Sequence, residues 1–364
     1  MFKFLTKPYV IAEMSGNHNQ SLERALKIVE EAAKSGVDAL KIQTYTADTI
    51  TIDSKRDEFL IKDVGSLWKG ETLYSLYGKA YTPWEWNKPI FDKCAACGIV
   101  GFSTPFDFTA VDFLEKLNVP LYKIASFENY DLPLLKYVAQ THKPVIMSCG
   151  MVTLNELKES VSILQKNGCP EIVLLKCTST YPADPTNSNL CTISDIQKQF
   201  PDCVIGLSDH TLGTAVSVAA VALGAKVIEK HFTLSRAEGG VDSAFSMEPQ
   251  EMERLVTDTN TALQSLGSVS YGPTEAEQAS LKFRRSLYVV KEVKKGELFT
   301  PDNIRSIRPA VGLPTKKYEE VLNKRALYDI QAGVPLTEMM YIDTPIYPKI
   351  NEKIAHNPLL FTGG

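Results

Sequence analysis

Short apolar runs rich in β-branched residues recur between Tyr9 and Thr233, and amphipathic segments separate them. Their nearly continuous hydrophobicity is typical of strands that are covered on both faces of a parallel sheet. The segments between them carry apolar residues at helical spacing, so we expect strands and helices to alternate. Eight such units predict a (β/α)8 TIM barrel, an α/β fold. The predicted strands span residues 9–15, 38–44, 98–104, 120–126, 144–150, 171–178, 203–209 and 226–233.

Polar residues concentrate at the carboxyl ends of these runs. A barrel brings those ends together on one face, where the active sites of this fold lie. We therefore expect the polar side chains to share one site, although they are far apart in the sequence. The candidates for chemistry or binding are Glu13, Lys41, Thr104, Lys123, Ser126, Glu128, Ser148, Ser179, Tyr181, Ser208, His210 and His231.

Two of the five histidines, His210 and His231, follow the seventh and eighth predicted strands. Neighbouring strand ends can hold one ion, and neutral imidazoles suit divalent metals. Two protein ligands leave positions open, so a metal held there could polarise a carbonyl group or activate water. The alternative is that both histidines are hydrogen-bonded core residues. His18, after the first strand, is either a substrate contact or part of a solvated loop.

Four lysines, Lys41, Lys123, Lys176 and Lys230, lie inside the predicted strands. Lysine is almost never fully buried unless it is paired, so these residues favour a polyanionic ligand or carboxylate partners. With hydroxyl donors nearby, a ligand that carries both phosphate and carboxylate fits better than a sugar alone. Structural pairing with acidic residues is the alternative, most of all for Lys176 and Lys230. A Schiff-base aldolase that uses Lys41 or Lys123 is a further alternative.

Glu128 follows the fourth strand, close to Lys123 and Ser126 in the sequence. It is the candidate general base or water-positioning carboxylate, with a structural ion pair as the alternative. The chain contains neither of the glycine-rich patterns GxxxxGK[ST] and GxGxxG, so nothing in the sequence supports nucleotide binding.

The sequence outside the eight predicted strands predicts a long connection in the barrel and three further parts after it. A long segment between the second and third strands, which includes residues 67–86, is predicted to be a lid or a substrate wall. The predicted parts are a barrel at 1–267, a linker at 268–282, a small β-rich domain at 283–343 and an irregular tail at 344–364.

The net charge of the chain is -4, so it has no general basic field that would attract nucleic acid or anionic lipid. The N-terminus lacks the long apolar core of a signal peptide, and polar residues interrupt the longest apolar stretch. We therefore expect a cytoplasmic protein. Seven cysteines are an odd number, which indicates reduced thiols and not a disulfide framework.

Eight motifs follow one another in the barrel region: IAEMSGNHNQS, LKIQTYTADT, STPFD, YKIASFE, KPVIMSCGM, LKCTSTYP, GLSDHTLG and VIEKHFTL. SLYVVKEVKKGE and TPDNIRSIRP follow them. In this order they resemble the sialic acid synthase family. The last two are similar to the family's C-terminal SAF domain, which resembles type III antifreeze protein. The resemblance covers the barrel and the small domain.

This resemblance implies an enzyme that condenses phosphoenolpyruvate with a sugar aldehyde and releases phosphate by C–O cleavage. It implies phosphoenolpyruvate contacts at Lys41, Thr104, Lys123, Ser126, Ser148 and Ser208. It implies Mn or Mg bound by His210 and His231, with Glu128 activating water and Lys123 also taking part in catalysis. It implies sugar or metal-shell contacts at Glu13, Asn17, His18, Ser179, Tyr181 and Asp242.

The acceptor sugar and the assembly also follow from the resemblance. KIQTYTADTIT, LYSLYGKAYTPWEW and KCTSTYP most resemble family members whose acceptor is 2,4-diacetamido-2,4,6-trideoxy-altrose, a 6-deoxy diacetamido hexose. Ser179 stands where sialic acid synthases proper have Asn, which counts against N-acetylmannosamine. That sugar and the precursor of legionaminic acid remain alternatives. Arg308 matches an arginine that reaches the sugar from a second subunit, which implies a domain-swapped homodimer.

Overall fold

The computed structural model describes residues 1–62 and 68–341, which form two compact units. The first unit is Met1–Gly267, and the second begins at Ser268. The predicted tail at 344–364 lies outside the described residues, as does Leu67 of the segment 67–86.

Within the described residues, eight parallel strands close into a barrel in the order of the chain, which confirms the predicted fold class. β1 pairs with β2 on one side and closes the barrel against β8 on the other, with Glu13 opposite His231. Each strand lies within a predicted apolar run or overlaps it. The strands are β1 Tyr9–Glu13, β2 Ala39–Thr44, β3 Val100–Pro105, β4 Tyr122–Ile124, β5 Val145–Ser148, β6 Ile172–Cys177, β7 Val204–Ser208 and β8 Val227–His231.

Helices connect successive strands and cover the outside of the barrel. α1 begins at Ser21, whose side chain accepts a hydrogen bond from the Arg24 backbone N–H, and its buried residues recur at helical spacing from Ala25 to Ala32. The helices of the first unit are α1 Leu22–Lys34, α2 Ala47–Ile50, α3 Leu73–Ala80, α4 Trp84–Ala96, α5 Phe108–Lys116, α6 Leu132–Ala139, α7 Leu154–Lys166, α8 Cys191–Gln199, α9 Ala215–Ala222 and α10 Pro249–Leu266.

Alternate residues of each strand point into the barrel and divide its interior into layers. Apolar side chains such as Ile11, Phe102 and Ile146 fill the lower part, which Phe2 closes by packing edge-on against Tyr9. Further along seven of the eight strands, the inward positions become polar, whereas β6 remains apolar at Leu175. The polar inward positions carry Glu13, Lys41, Thr104, Lys123, Ser148, Ser208 and Glu229.

The same alternation separates the four strand lysines. Lys41 and Lys123 occupy inward positions, whereas Lys176 and Lys230 lie on the opposite faces of β6 and β8. Lys230 pairs with Asp209 at 2.9 Å, as the structural alternative predicted. Lys176 donates to the Cys177 carbonyl and to Thr178 Oγ1, so the expected carboxylate partner was wrong. The interior therefore holds two cations and not four.

The long connection between β2 and β3 is largely helical, because it contains α2, α3 and the start of α4. α3 packs close to the first strand's loop, because a Cβ atom on Gly16 would lie only 3.3 Å from the Ala80 backbone. The segment 68–86 is thus folded onto the barrel, and its lid motion stays a prediction.

The second unit holds β9 Ser286–Val289 and β10 Ile304–Ile307, which pair antiparallel, and the short helix α11 Tyr318–Val321. Leu287, Phe299, Ile304 and Leu336 lie in its own apolar core. A 3-10 helix at Glu275–Phe283 precedes β9. Throughout the part of the chain that the structure describes, we find no helix with the length and apolar character needed to cross a membrane.

Candidate active site

Four buried charges lie together in the polar layer of the barrel. Lys41 Nζ is 2.8 Å from Glu13 Oε2 and 3.7 Å from Glu229 Oε1. Lys123 Nζ donates to the same Glu229 oxygen at 3.0 Å. Glu229 therefore bridges the two lysines, while its Oε2 is buried without a hydrogen-bond partner among the described residues. Glu229 was not among the predicted site residues, although it stands two positions before His231 and shares its inward direction.

Burial and pairing act in opposite directions on these groups. Burial disfavours the ammonium form of Lys41, but Glu13 and Glu229 outweigh it and raise the pKa. For Lys123 burial prevails and lowers the pKa, although Glu229 opposes it. Burial would also raise the pKa of Glu229, but the two lysines reverse this and lower it. Burial raises the pKa of Glu13. The lysine pair thus faces one firmly ionised carboxylate.

Hydroxyl groups surround the lysine pair. Thr104 accepts a hydrogen bond from Lys41 Nζ at 3.3 Å, and Ser208 donates to Glu229 at 3.4 Å. The buried hydroxyl of Ser148 has no partner within the described chain. Buried polar groups are normally satisfied, so unpaired hydroxyl and carboxylate oxygens beside two ammonium groups indicate room for a polar ligand.

Ser126 and Ser179 meet at Gly150, at the edge of this hydroxyl cluster. The Gly150 backbone N–H donates to Ser126 Oγ at 3.2 Å. A Cβ atom on Gly150 would lie 2.4 Å from Ser179 Oγ and 2.6 Å from Ser126 Oγ. Only glycine therefore allows the two hydroxyls to approach this strand end.

The two histidines lie side by side, with ring centroids 5.4 Å apart. His210 Nδ1 donates to the Thr178 carbonyl at 2.9 Å in the tautomer that leaves Nε2 free as a ligand. His231 Nδ1 is buried, and no described group bonds to it. Two imidazoles with available nitrogens fit a divalent metal. No group of three or more His, Cys, Asp or Glu residues in the described ranges gathers around one metal position.

Glu128 has the properties expected of a proton-transfer group. Burial, together with the nearby charge of Asp131, raises the pKa of its carboxyl to about 7, although Lys123 opposes the shift. Its Oε2 is buried and lacks a hydrogen-bond partner in the described part of the chain. A carboxyl group that titrates near neutrality can both accept and donate a proton at physiological pH.

Asp242 and Ser15 form a second polar cluster, beside the first strand's loop. Ser15 Oγ donates to the buried Asp242 carboxylate, whose pKa is raised by burial against the effect of this bond. Gln43 Nε2 donates to Glu13 Oε1 at 2.9 Å and approaches Ser15 Oγ at 3.3 Å, which joins the two clusters. Gln43, at this inward position, was not among the predicted site residues.

The structure gives His18 and Asn17 packing roles. His18 is fully buried, and its ring nitrogens contact the Gln20 backbone N–H and Thr82 Oγ1. Burial lowers the pKa of His18 to about 4, so the ring is neutral. The solvated loop is therefore wrong, because His18 is buried, and its role as a substrate contact stays a prediction. Asn17 Nδ2 donates to the Phe232 carbonyl and Ser246 Oγ, while Oδ1 stays buried without a partner among described groups.

Three aromatic rings lie beside the histidine pair, and the sequence identified only Tyr181. The Tyr181 ring is 4.4 Å from the His210 ring and 5.3 Å from Phe245. Phe245 is 4.9 Å from the His231 ring. Trp68 adds a third ring, 6.4 Å from Tyr181. Trp68 belongs to the segment 67–86 that was predicted to be a lid or a substrate wall, whereas no sequence signal distinguished Phe245, because aromatic residues are common in cores.

Arg308 belongs to the second unit, where it follows β10 and is exposed. It lines a cavity of about 470 Å³ together with Ser280, Phe283, Arg284, Arg285 and Thr315. Three guanidinium groups around one cavity favour an anionic or hydroxyl-rich partner.

Comparisons with known proteins cover both units. A model of the NeuB family matches residues 28–271, and a model of the SAF domain matches residues 284–341. A pseudaminic acid synthase of Campylobacter jejuni is 43% identical over 91% of this chain and 96% of that protein. An N,N'-diacetyllegionaminic acid synthase of the same species is 37% identical over 88% of this chain and 96% of that protein.

A solved structure agrees with these sequence matches. The crystal structure of an N-acetylneuraminic acid synthetase from Leptospira borgpetersenii superposes with a TM-score of 0.67 at 30% sequence identity. The match covers 77% of this chain and 92% of that one. The barrel that carries the lysine and histidine pairs is therefore shared with known synthases.

Substitution of Gly150 tests the hydroxyl cluster. In Gly150→Ala the new methyl group displaces Ser126 and Ser179, and loss of one or two hydroxyl contacts of about 1 kcal/mol each weakens phosphoenolpyruvate binding roughly tenfold. Isothermal titration calorimetry measures the dissociation constant. Gly78→Ala is the matched control, because a Cβ atom there has no neighbour within 4 Å. Equal affinity of the two variants would contradict a ligand at this cluster.

Proposed function

The chain belongs to the NeuB family, and from this we infer that it condenses phosphoenolpyruvate with a sugar aldehyde. We propose 2,4-diacetamido-2,4,6-trideoxy-altrose as the acceptor, so that the products are pseudaminic acid and phosphate. The observation that carries the proposal is the higher identity to a pseudaminic acid synthase over nearly the whole chain. The buried lysine pair, bordered by the Ser148 hydroxyl that has no partner among the described residues, supports the same chemistry.

We assign phosphoenolpyruvate to the polar layer of the barrel. Lys41 and Lys123 would bind its negative groups, with hydroxyl donors from Thr104, Ser126, Ser148 and Ser208. Because these cations are already fixed by Glu13 and Glu229, they stabilise developing phosphate charge without reorganising. Glu229 holds both ammonium groups within 3.7 Å of one oxygen, which makes it the positioning residue of the pair.

We assign the aldehyde to the histidine pair. A divalent metal, Mn or Mg, held by His210 and His231 would polarise the aldehyde oxygen. Glu13 ends β1, and Asp242 lies in the loop after β8 next to Ser15, where both carboxyl groups can accept hydrogen bonds from sugar hydroxyls. Tyr181, packed against His210, supplies an apolar surface for the carbon chain.

The reaction follows from these positions. The methylene carbon of phosphoenolpyruvate forms a bond to the aldehyde carbon, whose oxygen takes up a proton. Positive charge then develops on the carbon that carries the phosphate. Glu128 accepts a proton from the water that adds to this carbon, and the resulting tetrahedral adduct breaks its C–O bond to release phosphate. Lys41 and Lys123 stabilise the departing anion. The carbon that carried the enol phosphate ester in phosphoenolpyruvate is thus the keto carbon of the product.

The proposed acceptor is tested by phosphate release with three sugars. We expect activity with the 2,4-diacetamido-2,4,6-trideoxy-altrose and a kcat/KM at least tenfold lower with N-acetylmannosamine and with the legionaminic acid precursor, since apolar pockets discriminate by about this factor. EDTA is expected to abolish activity, and added Mn or Mg to restore it. Mass spectrometry identifies the product.

Two outcomes would overturn parts of this proposal. A preference for either of the other sugars assigns the chain to the corresponding branch of the family. Activity that survives EDTA, together with borohydride trapping of pyruvate on a lysine, would replace the condensation with Schiff-base chemistry at Lys123 or Lys41.

The role of Glu128 predicts a specific pH profile. Because the carboxylate is the active form of a base, kcat/KM should fall about tenfold per pH unit below pH 7, near the raised pKa. Glu128→Gln should remove this acidic limb of the profile, which is the fall of kcat/KM below pH 7, and should lower the rate by about 100-fold or more. Asp131→Asn should move the limb to lower pH, because it removes a charge that raises the pKa. A limb that persists unchanged in Glu128→Gln would exclude this role.

We also propose that two copies of the chain assemble and that Arg308 of each contacts the sugar bound by its partner. Arg308→Ala should raise the sugar KM on the order of tenfold or more, the effect of one charged hydrogen bond, and leave phosphoenolpyruvate affinity unchanged. The exposed Arg305, three residues earlier on β10, provides the control Arg305→Ala.

Mixing tests whether Arg308 acts between copies. Mixed dimers of Arg308→Ala and Glu128→Gln should regain both the normal sugar KM that Arg308→Ala lacks and the rate that Glu128→Gln lacks, since one barrel then has both groups. A monomeric species in analytical ultracentrifugation, or no regain after subunit exchange, would contradict the assembly. A cytoplasmic location agrees with the seven cysteines, all in the described ranges and all unpaired.

A further inference from the structure

Tyr181, Phe245 and Trp68, which we call the aromatic wall, extend outward from the candidate metal ligands. The two inner rings contact the imidazoles at 4.4 and 4.9 Å, and Trp68 lies beyond them, 6.4 Å from Tyr181. The wall thus begins at the position proposed for the aldehyde and continues along the space that the rest of the sugar must occupy.

Each ring of the wall comes from a different connection of the barrel. Tyr181 follows β6, Phe245 belongs to the 3-10 turn Ser243–Phe245 after β8, and Trp68 lies between β2 and β3. The turn is tied to β8, because the Met247 backbone N–H donates to the His231 carbonyl at 2.8 Å. Trp68 Nε1 donates to the Val241 carbonyl at 3.3 Å, so the long connection is fixed to the same loop.

The surface that Phe245 and Trp68 contribute to the wall is apolar, whereas Tyr181 adds a hydroxyl group. Phe245 is 3% exposed and has no polar side-chain atom. The indole N–H of Trp68 is already directed at the Val241 carbonyl. A hydroxyl group buried against these two rings would lose its hydrogen bonds to water without gaining one from either ring, which costs about 1 to 3 kcal/mol. A methyl group placed there gains about 0.8 kcal/mol from burial.

We propose that Phe245 and Trp68, together with Tyr181, select the acceptor by its C6 methyl group and reject a C6 hydroxymethyl group. This inference rests on the proposed function, since it names the part of the 6-deoxy sugar that these rings recognise. The aldehyde end at the histidines sets the direction of the carbon chain, so that its far end would meet Trp68, the outer ring, with Phe245 lining the path between them. Two residues without a previous role thereby become specificity residues.

The test compares two acceptors that differ by one oxygen atom. They are 2,4-diacetamido-2,4,6-trideoxy-altrose and its 6-hydroxy counterpart, 2,4-diacetamido-2,4-dideoxy-altrose. The unchanged enzyme should prefer the 6-deoxy sugar by about 100-fold in kcat/KM, the range expected when an apolar pocket faces an added hydroxyl. Phosphate release and mass spectrometry follow both reactions.

Phe245→Leu and Trp68→Ala are the informative variants. Each should reduce the preference about tenfold, through a higher KM for the 6-deoxy sugar. The KM for phosphoenolpyruvate and the limb of the pH profile should not move, which a general loss of structure would not allow. Trp68 is only partly buried, so its variant remains informative if Phe245→Leu fails to fold. Phe113→Leu, on α5 against Trp84 and outside the barrel, is the matched control.

The possible results separate this inference from the proposed function. A reduced preference in both wall variants, with an unchanged preference in Phe113→Leu, supports the inference. An active enzyme whose preference is unchanged in both variants, or falls equally in Phe113→Leu, overturns the inference alone. An unchanged enzyme that uses neither sugar overturns the proposed function, and the inference with it.

Discussion

The central constraint of this structure is a set of four charges inside an apolar barrel. Lys41, Lys123, Glu13 and Glu229 are each at most 5% exposed, so water cannot solvate them and they must neutralise one another. Removing one member of a buried ion pair typically costs 3–5 kcal/mol, roughly a third or more of the stability of an ordinary domain. Such a cluster contributes little net stability compared with apolar residues, which is why its presence indicates function.

The barrel makes this cluster possible by its layered interior. Below the charges, Ile11, Phe102 and Ile146 exclude water and keep the local dielectric constant low. Above them, the strand ends bring hydroxyls and imidazoles that leave some polar atoms unpaired, including Ser148 Oγ and His231 Nδ1. A low dielectric strengthens the interaction with an anionic substrate, and the unpaired atoms supply the hydrogen bonds that it would lose on leaving water.

In the proposed function, the charged cluster recognises one substrate by polar contacts, and the aromatic wall recognises the other by apolar contacts. In the proposed function, the lysine pair binds phosphoenolpyruvate. The wall faces the acceptor, the part of the reaction in which related synthases differ. This arrangement allows loops after β6 and β8, and the long connection before β3, to change the acceptor without disturbing the buried charges.

Local sequence patterns determined the strands, the barrel and the gathering of the polar strand ends on one face, because parallel strands of a barrel all end on the same side. Tertiary structure decided which charges meet. Lys176 and Lys230 have apolar neighbours in the sequence, as Lys41 has, yet their side chains point away from the barrel interior. His18 was a candidate for chemistry and is buried with both ring nitrogens engaged, while Phe245 was not predicted and lies beside His231. Loops have no period that fixes their direction, so only the folded chain shows which of their residues reach the site.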